Sequence, residues 1–359
     1  MTTQPLSHKS LQLLSQLLLS SRETEEKEDI PQLIRAEFDS LVALAETNHV
    51  LVRGIGAFRD IMQQRGDDVR IGWADTCLAA ERARINRAGT YLGQICESFA
   101  QHHHRIAVIK SLDHWPDLGS DLDLYTDAKP SDVIRLMEAE FGAQVASRSW
   151  GDRLAGKWNF IIAGLPELVE IHVGRLGQTG EQSAIACSLL DRTREVTISG
   201  SQFRVPSVSE RLMISTLQRM YRHFYFRLCD IVDSAELVES GSVDWSDLFA
   251  AATTAGIWEG VATYLAIVSD YVHLCRGTCL PIPQWVLAAA RFRGREIYFA
   301  KDFLRVPILP QSALLYGTQL AAVIRRRQVN SSARLSLLPW LATAALVGQK
   351  ITGSDKGVW

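Results

Sequence analysis

No uninterrupted apolar run in this 359-residue chain approaches the roughly 20 residues that a bilayer-spanning helix needs. A membrane partner is therefore not expected. The leucine-rich start (Leu11, Leu13, Leu14, Leu17, Leu18, Leu19) is interrupted by Gln12 and Gln16. An acidic stretch, 23–29, follows it, and no small-residue cleavage pattern is present. This reads as an amphipathic helix rather than a secretory signal. An excess of positive charge is also missing. Lys and Arg number 38 against 40 Asp and Glu, a net charge of −2, which argues against broad nucleic-acid binding and against DNA as a partner. The densest basic run, Arg325–Arg326–Arg327, reads as a solvated helix face. Cysteine is sparse and scattered. Only Cys275 and Cys279 lie close together, and no second pair completes a zinc site, so the six are read as reduced core thiols of a cytoplasmic protein. There is no internal repeat and no low-complexity segment.

What remains is ordinary globular composition in a chain long enough for two or three cores. Helical periodicity dominates both flanks. Helices are expected over 7–22, from Pro31 to about residue 51, over 58–64 with a break at Gly54 and Gly56, and over 74–103. Short β runs dominate 105–205, with one helix over 132–141 capped by Ser131. Strands are expected over 105–110, 119–125, 145–150, 157–162, 168–173 and 195–198. Helices return over 210–234, 244–252, 257–276, 285–298, 314–327 and 335–346. The fold class is therefore α+β. A small mixed sheet over 105–206 stands between an N-terminal helical region, 1–104, and a C-terminal helical domain, 207–359.

The chemistry concentrates in Gly119-Ser120-Asp121-Leu122-Asp123-Leu124-Tyr125. Residues two apart on a strand share a face, so Asp121 and Asp123 converge while Leu122 and Leu124 turn to the core. Two carboxylates that close repel unless something neutralises them, and a divalent cation with oxygen ligands suits the pair. In the alternating run Leu168–Val173, Val169, Ile171 and Val173 fall on one face and Glu170 and His172 on the other. This run pairs naturally with 157–162 across a turn containing Gly164 and Pro166, which places a third carboxylate, Glu170, within reach of the first two. His172 shares Glu170's face and is a possible substrate contact. Asp113 and His114 lie in the loop before the Asp pair, and His223, with Arg222 and Arg227, is a candidate for the cleft. Trp115, Trp150 and Trp158 read as core aromatics, and His102–His103–His104 as a polar helix end.

With these residues the chain resembles the polymerase-β-like nucleotidyltransferase superfamily, and within it the bacterial "uncharacterised nucleotidyltransferase" family. The resemblance lies in Ile109-Lys110-Ser111, Asp121-Leu122-Asp123-Leu124 and Glu170-Ile171-His172. It implies a nucleotidyltransferase core in which Asp121, Asp123 and Glu170 hold Mg²⁺, or Mn²⁺, and carry the catalysis. It also implies that Ser111 contacts a triphosphate oxygen and that Lys110 and Lys157 neutralise triphosphate charge. The implied reaction moves a nucleoside monophosphate from a nucleoside triphosphate, ATP foremost, to an acceptor hydroxyl and releases pyrophosphate. A small molecule or a peptide or protein side chain is favoured over RNA as acceptor. The chain departs from the family pattern at Lys110, where glycine is usual, and at Glu170, where aspartate is commoner. A catalytically inactive nucleotidyltransferase fold serving as a binding or scaffold protein is the alternative.

Overall fold

The computed structural model of the protein describes residues 6–19, 33–341 and 343–344. Pro31, the acidic stretch 23–29 and the last residues of the helix expected over 335–346 lie outside them.

Four helices lead in: α1 (Leu6–Leu19), α2 (Arg35–Thr47), α3 (Leu51–Arg65) and α4 (Asp68–Gln101). The break expected at Gly54 and Gly56 falls earlier, at His49, whose φ of 53° is left-handed. Gly54 sits inside α3 against α1: a Cβ there would lie 2.5 Å from Leu14 Cδ1, so a larger residue would displace the buried Leu14 side chain. Gly66 ends α3 in the left-handed conformation, and Asp67 then caps α4 by accepting from Arg70 N.

The sheet region holds β1 (Ile106–Val108), β2 (Asp121–Thr126), α5 (Pro130–Phe141), β3 (Gln144–Val145), α6 (Trp150–Ala155), β4 (Lys157–Ile161), β5 (Leu168–Val173) and α7 (Ser183–Ser188). Five strands form one mixed sheet in the order β1-β2-β5-β4-β3, with β2 parallel to β5 and the other pairs antiparallel. The strand expected over 145–150 shrinks to two residues because Ser149 starts a helix. Its Oγ accepts from Asp152 N at 3.0 Å, and Asp152 Oδ2 accepts from Ser149 N at 2.9 Å. Trp150 is consequently exposed rather than in the core. Ser149→Ala should therefore cost about 1 kcal/mol, measured by urea unfolding; no change would mean that α6 stands on packing alone. Helix α5 begins two residues earlier than expected, with Pro130 inside its first turn and Lys129, not Ser131, at the cap. The run expected over 195–198 is β6 (Thr193–Ile198), which pairs with β7 (Ser201–Pro206) in a separate two-stranded sheet.

One face of the main sheet is apolar. Leu122, Leu124, Phe160, Val169 and Ile171 are fully buried there with Ala88, Leu92, Ile95 and Phe99 of α4 and Val133 and Met137 of α5. A second core joins the two flanks. Leu14, Phe38, Leu41, Ile55 and Phe58 pack into one cluster with residues of α8 (Val208–Thr216), α9 (Leu228–Glu239), α10 (Trp245–Ala255), α11 (Trp258–Arg276) and α13 (Ala313–Arg325).

The long helix expected over 210–234 is interrupted. After α8 the chain widens into a π-helical turn, Leu217–Arg222, then extends as β8 (Tyr225–Phe226) before α9 begins. The helix expected over 285–298 is only α12 (Gln284–Ala288); β9 (Tyr298–Ala300) and β10 (Phe303–Arg305) follow and join β8 in a three-stranded sheet. Helix α14 (Val329–Ser336) comes after α13. Among the described residues no helix is long and apolar enough to cross a membrane.

Candidate functional site

The parallel pairing of β2 with β5 builds the site. Its register sets Asp123 opposite Glu170 and Asp121 opposite Leu168. Because β2 buries Leu122 and Leu124, Asp121 and Asp123 turn to the other face, where Glu170 joins them. His172, from the same strand, brings its Nε2 to 3.7 Å from Asp123 Oδ1. Asp123, Glu170 and His172 each present a ligand atom, all within 4.8 Å of one another. Both ring nitrogens of His172 are buried without a hydrogen-bond partner.

The turn after β1 reaches into this group. Lys110 has a φ of 66°, the left-handed region that favours glycine, and its ammonium pairs with the Asp123 carboxylate. Lysine here accepts about 1 kcal/mol of backbone strain and delivers a cation to the carboxylates. The Ser111 hydroxyl, expected to meet a phosphate, is engaged with β2: it accepts from Asp123 N at 2.7 Å and donates to Asp121 O at 3.2 Å. It locks the turn to the acidic strand. Lys157 on β4 pairs with Glu170 and Asp152, each at 3.0 Å.

Crowding separates the acids. Burial, with Glu170 and Asp123 beside it, pushes the Asp121 carboxyl up to about 6. Burial would raise Asp123 too, but Lys110 and His172 outweigh it and hold that carboxyl well below the usual range. Burial lowers His172, while the carboxylates around Lys157 outweigh its burial and keep it above the usual ammonium range.

Lys110, Ser111, Asp121, Asp123, Lys157 and Glu170 line a cavity of about 170 Å³. The same cavity is lined by a basic group from the interruption between α8 and α9: Arg219, Arg222, His223 and Arg227. π-Helical turns recur at functional positions because the extra residue redirects side chains, and here the turn carries Arg219 and Arg222. Arg219 is fixed by Asp230 at 2.8 Å, whereas Arg222 makes no ion pair among the described residues. Burial, then the arginines, brings His223 down to about 2, so its ring is neutral. His49 and His114 complete the rim.

The chain matches no protein-family model, and no curated protein matches it.

The structure thus gathers Lys110, Ser111, Asp121, Asp123, Lys157 and Glu170 around one cavity, with His172 packed behind Asp123. His114 and His223 also face the cavity, while Asp113 turns away to pair with Arg211 at 2.7 Å. Arg219 and His49 were not singled out in the sequence. The arginine spacing within 219–227 was the signal available for Arg219; the left-handed backbone of His49 shows only in the structure.

Proposed function

We propose that the protein transfers a nucleoside monophosphate from a nucleoside triphosphate to an acceptor hydroxyl, releasing pyrophosphate, on a polymerase-β-like nucleotidyltransferase core. One observation carries the reading: the β2–β5 register brings Asp121, Asp123 and Glu170 to one cavity that Arg219, Arg222 and Arg227 also line. Carboxylates and arginines around one cavity match a metal–triphosphate, which presents a cation and an anion side by side.

The carboxylates fit Mg²⁺ or Mn²⁺: Asp123 and Glu170 present ligand atoms within 4.8 Å of one another, Asp121 lines the same cavity as a third ligand, and His172 stands beside them. When bound, such ions supply charge neutralisation at the phosphates and acidify the attacking oxygen. The arginines bind phosphate oxygens. Lys110 and Lys157 sit on the carboxylates within reach of the same anion. Glu170 accepts the proton from the acceptor hydroxyl. A smaller, largely apolar chamber of about 60 Å³ adjoins, sharing Lys110, Gln218 and Arg222 and walled by His172, Leu176, Ile214 and Tyr221. Its size suits a small acceptor better than RNA.

A second reading has an observation in its favour. Lys110 and Lys157 already neutralise two of the three carboxylates, as in a binding module with no catalysis. Thermal-shift titration separates the two. With Mg²⁺ and saturating ATP, the melting temperature should rise by several degrees, as ligand at about 100 times its Kd adds about 2.7 kcal/mol. The rise should require the metal and vanish in the Asp121→Asn/Asp123→Asn double variant. Shifts indifferent to metal and to that variant would instead favour the binding module, and no shift with any of the four ribonucleoside triphosphates would refute the transferase.

A further inference from the structure

A second cluster stands on the rim of the same cavity and plays no part in the proposed transfer. Each of His49, His114 and Cys229 offers a ligand atom, and these atoms lie within 4.8 Å of one another. His114 Nε2 is 3.8 Å from Cys229 Sγ. A tetrahedral zinc ion, with bonds of about 2.3 Å to sulfur and about 2.0 Å to nitrogen, needs these two atoms about 3.5 Å apart.

The supporting structure is built for such an ion. Asp233 lies one helical turn beyond Cys229 on α9 and accepts from His114 Nδ1, which leaves Nε2 as the free donor towards the sulfur. A carboxylate behind a histidine is the usual means of orienting a metal ligand. Asp233 is itself held by Arg53 at 2.6 Å. His49 is set in place by its left-handed backbone and by Gly119, where a Cβ would lie 3.1 Å from the His49 ring. Its Nδ1 is buried without a hydrogen-bond partner. Asn48 accepts from Leu228 N through its side chain at 3.0 Å and from Cys229 N through its carbonyl at 3.3 Å, which pins the start of α9 beside His49.

We propose that His49, His114 and Cys229 bind one zinc ion, oriented by Asp233. One thiolate and two imidazoles are the donor chemistry that selects zinc over magnesium. Three protein ligands leave a fourth position, which the cavity lined by His49 and His114 supplies to water or to a molecule bound there. A cysteine–histidine–aspartate nucleophile is the competing use of these groups. Cys229 is fully buried and off the cavity wall, so an ion reaches its sulfur where an electrophilic substrate does not.

The test is metal analysis of the full chain after zinc loading and exhaustive dialysis. About one zinc per chain is expected. Cys229→Ala and His49→Ala should each lose it, Asp233→Asn should bind about 10–100-fold more weakly, and Asp121→Asn/Asp123→Asn should keep it. Cobalt titration of the zinc-free wild type is the second readout and needs no variant to fold: a thiolate-to-cobalt charge-transfer band is expected. Substoichiometric zinc with no cobalt band would overturn the proposal, as would full zinc retention in folded Cys229→Ala.

Discussion

Replacing Arg53 with alanine should lower the unfolding free energy by about 3–5 kcal/mol, because it strands the buried Asp117 carboxylate and leaves the buried Asp233 with His114 alone. Arg53 Nε lies 2.8 Å from Asp117 Oδ2 and its Nη1 lies 2.6 Å from Asp233 Oδ1. The arginine side chain is 12% exposed and the two aspartates 2% and 9%. Asp117 also accepts from Val52 N at 2.6 Å, so the same network caps α3. Burial raises the Asp117 carboxyl even with Arg53 present, and removal of the arginine takes away its main counter-charge. Exposed pairs behave differently. Arg35 and Asp39 are 59% and 56% exposed, and Arg35→Ala should change stability by at most about 0.5 kcal/mol. Urea unfolding of both variants at pH 7 is the check. Equal losses would mean that burial at Arg53 confers no special cost.

Asp121→Asn should have the opposite sign and stabilise the ligand-free protein. A carboxyl whose folded pKa is raised to about 6 binds its proton more tightly folded than unfolded. Its ionisation therefore opposes folding. The penalty is absent below the unfolded value near 4, grows as pH rises and is complete above about 6. With a discount for its partial exposure, the asparagine variant should gain about 1–2 kcal/mol at pH 7. The gain should shrink as pH is lowered towards 4, where wild type and variant should melt alike. A gain that persists at low pH would point to some cause other than charge repulsion. The same substitution should remove metal-dependent triphosphate binding, so stability and binding would move in opposite directions at one residue.

The acidic strands were legible because a period of two leaves little choice. Leu122, Leu124, Val169 and Ile171 are fully buried, and the residues between them must face the other way. The hairpin of β4 and β5 followed from Gly164 and Pro166 for the same local reason. The basic group was legible only in part: His223 with Arg222 and Arg227 stood out as cleft candidates, but the break in the chain that brings them to the cavity did not. Residues 210–234 keep a helical pattern, yet the chain unwinds at 223–227 because β8 pairs with β10, almost 80 residues later. Nothing local announces that pairing. The glycines of α3 misled in the reverse direction, since the residue that Gly54 packs against is Leu14 on another helix. His49, His114 and Cys229 are separated by 65 and 115 positions, so spacing alone could not associate them.

The core shared by the two flanks carries a consequence for biosynthesis. Ser15 and Tyr271 touch through their hydroxyls at 2.7 Å across 256 positions of chain. At ribosomal speeds of about 5–20 residues per second, α1 emerges roughly 10–50 s before its partner helix exists. Throughout that interval the part of the α1 face that α11 covers stays open to water. Nascent chains stalled before α11 should therefore be the form that chaperones hold, and completion of α11 the event that lets them go.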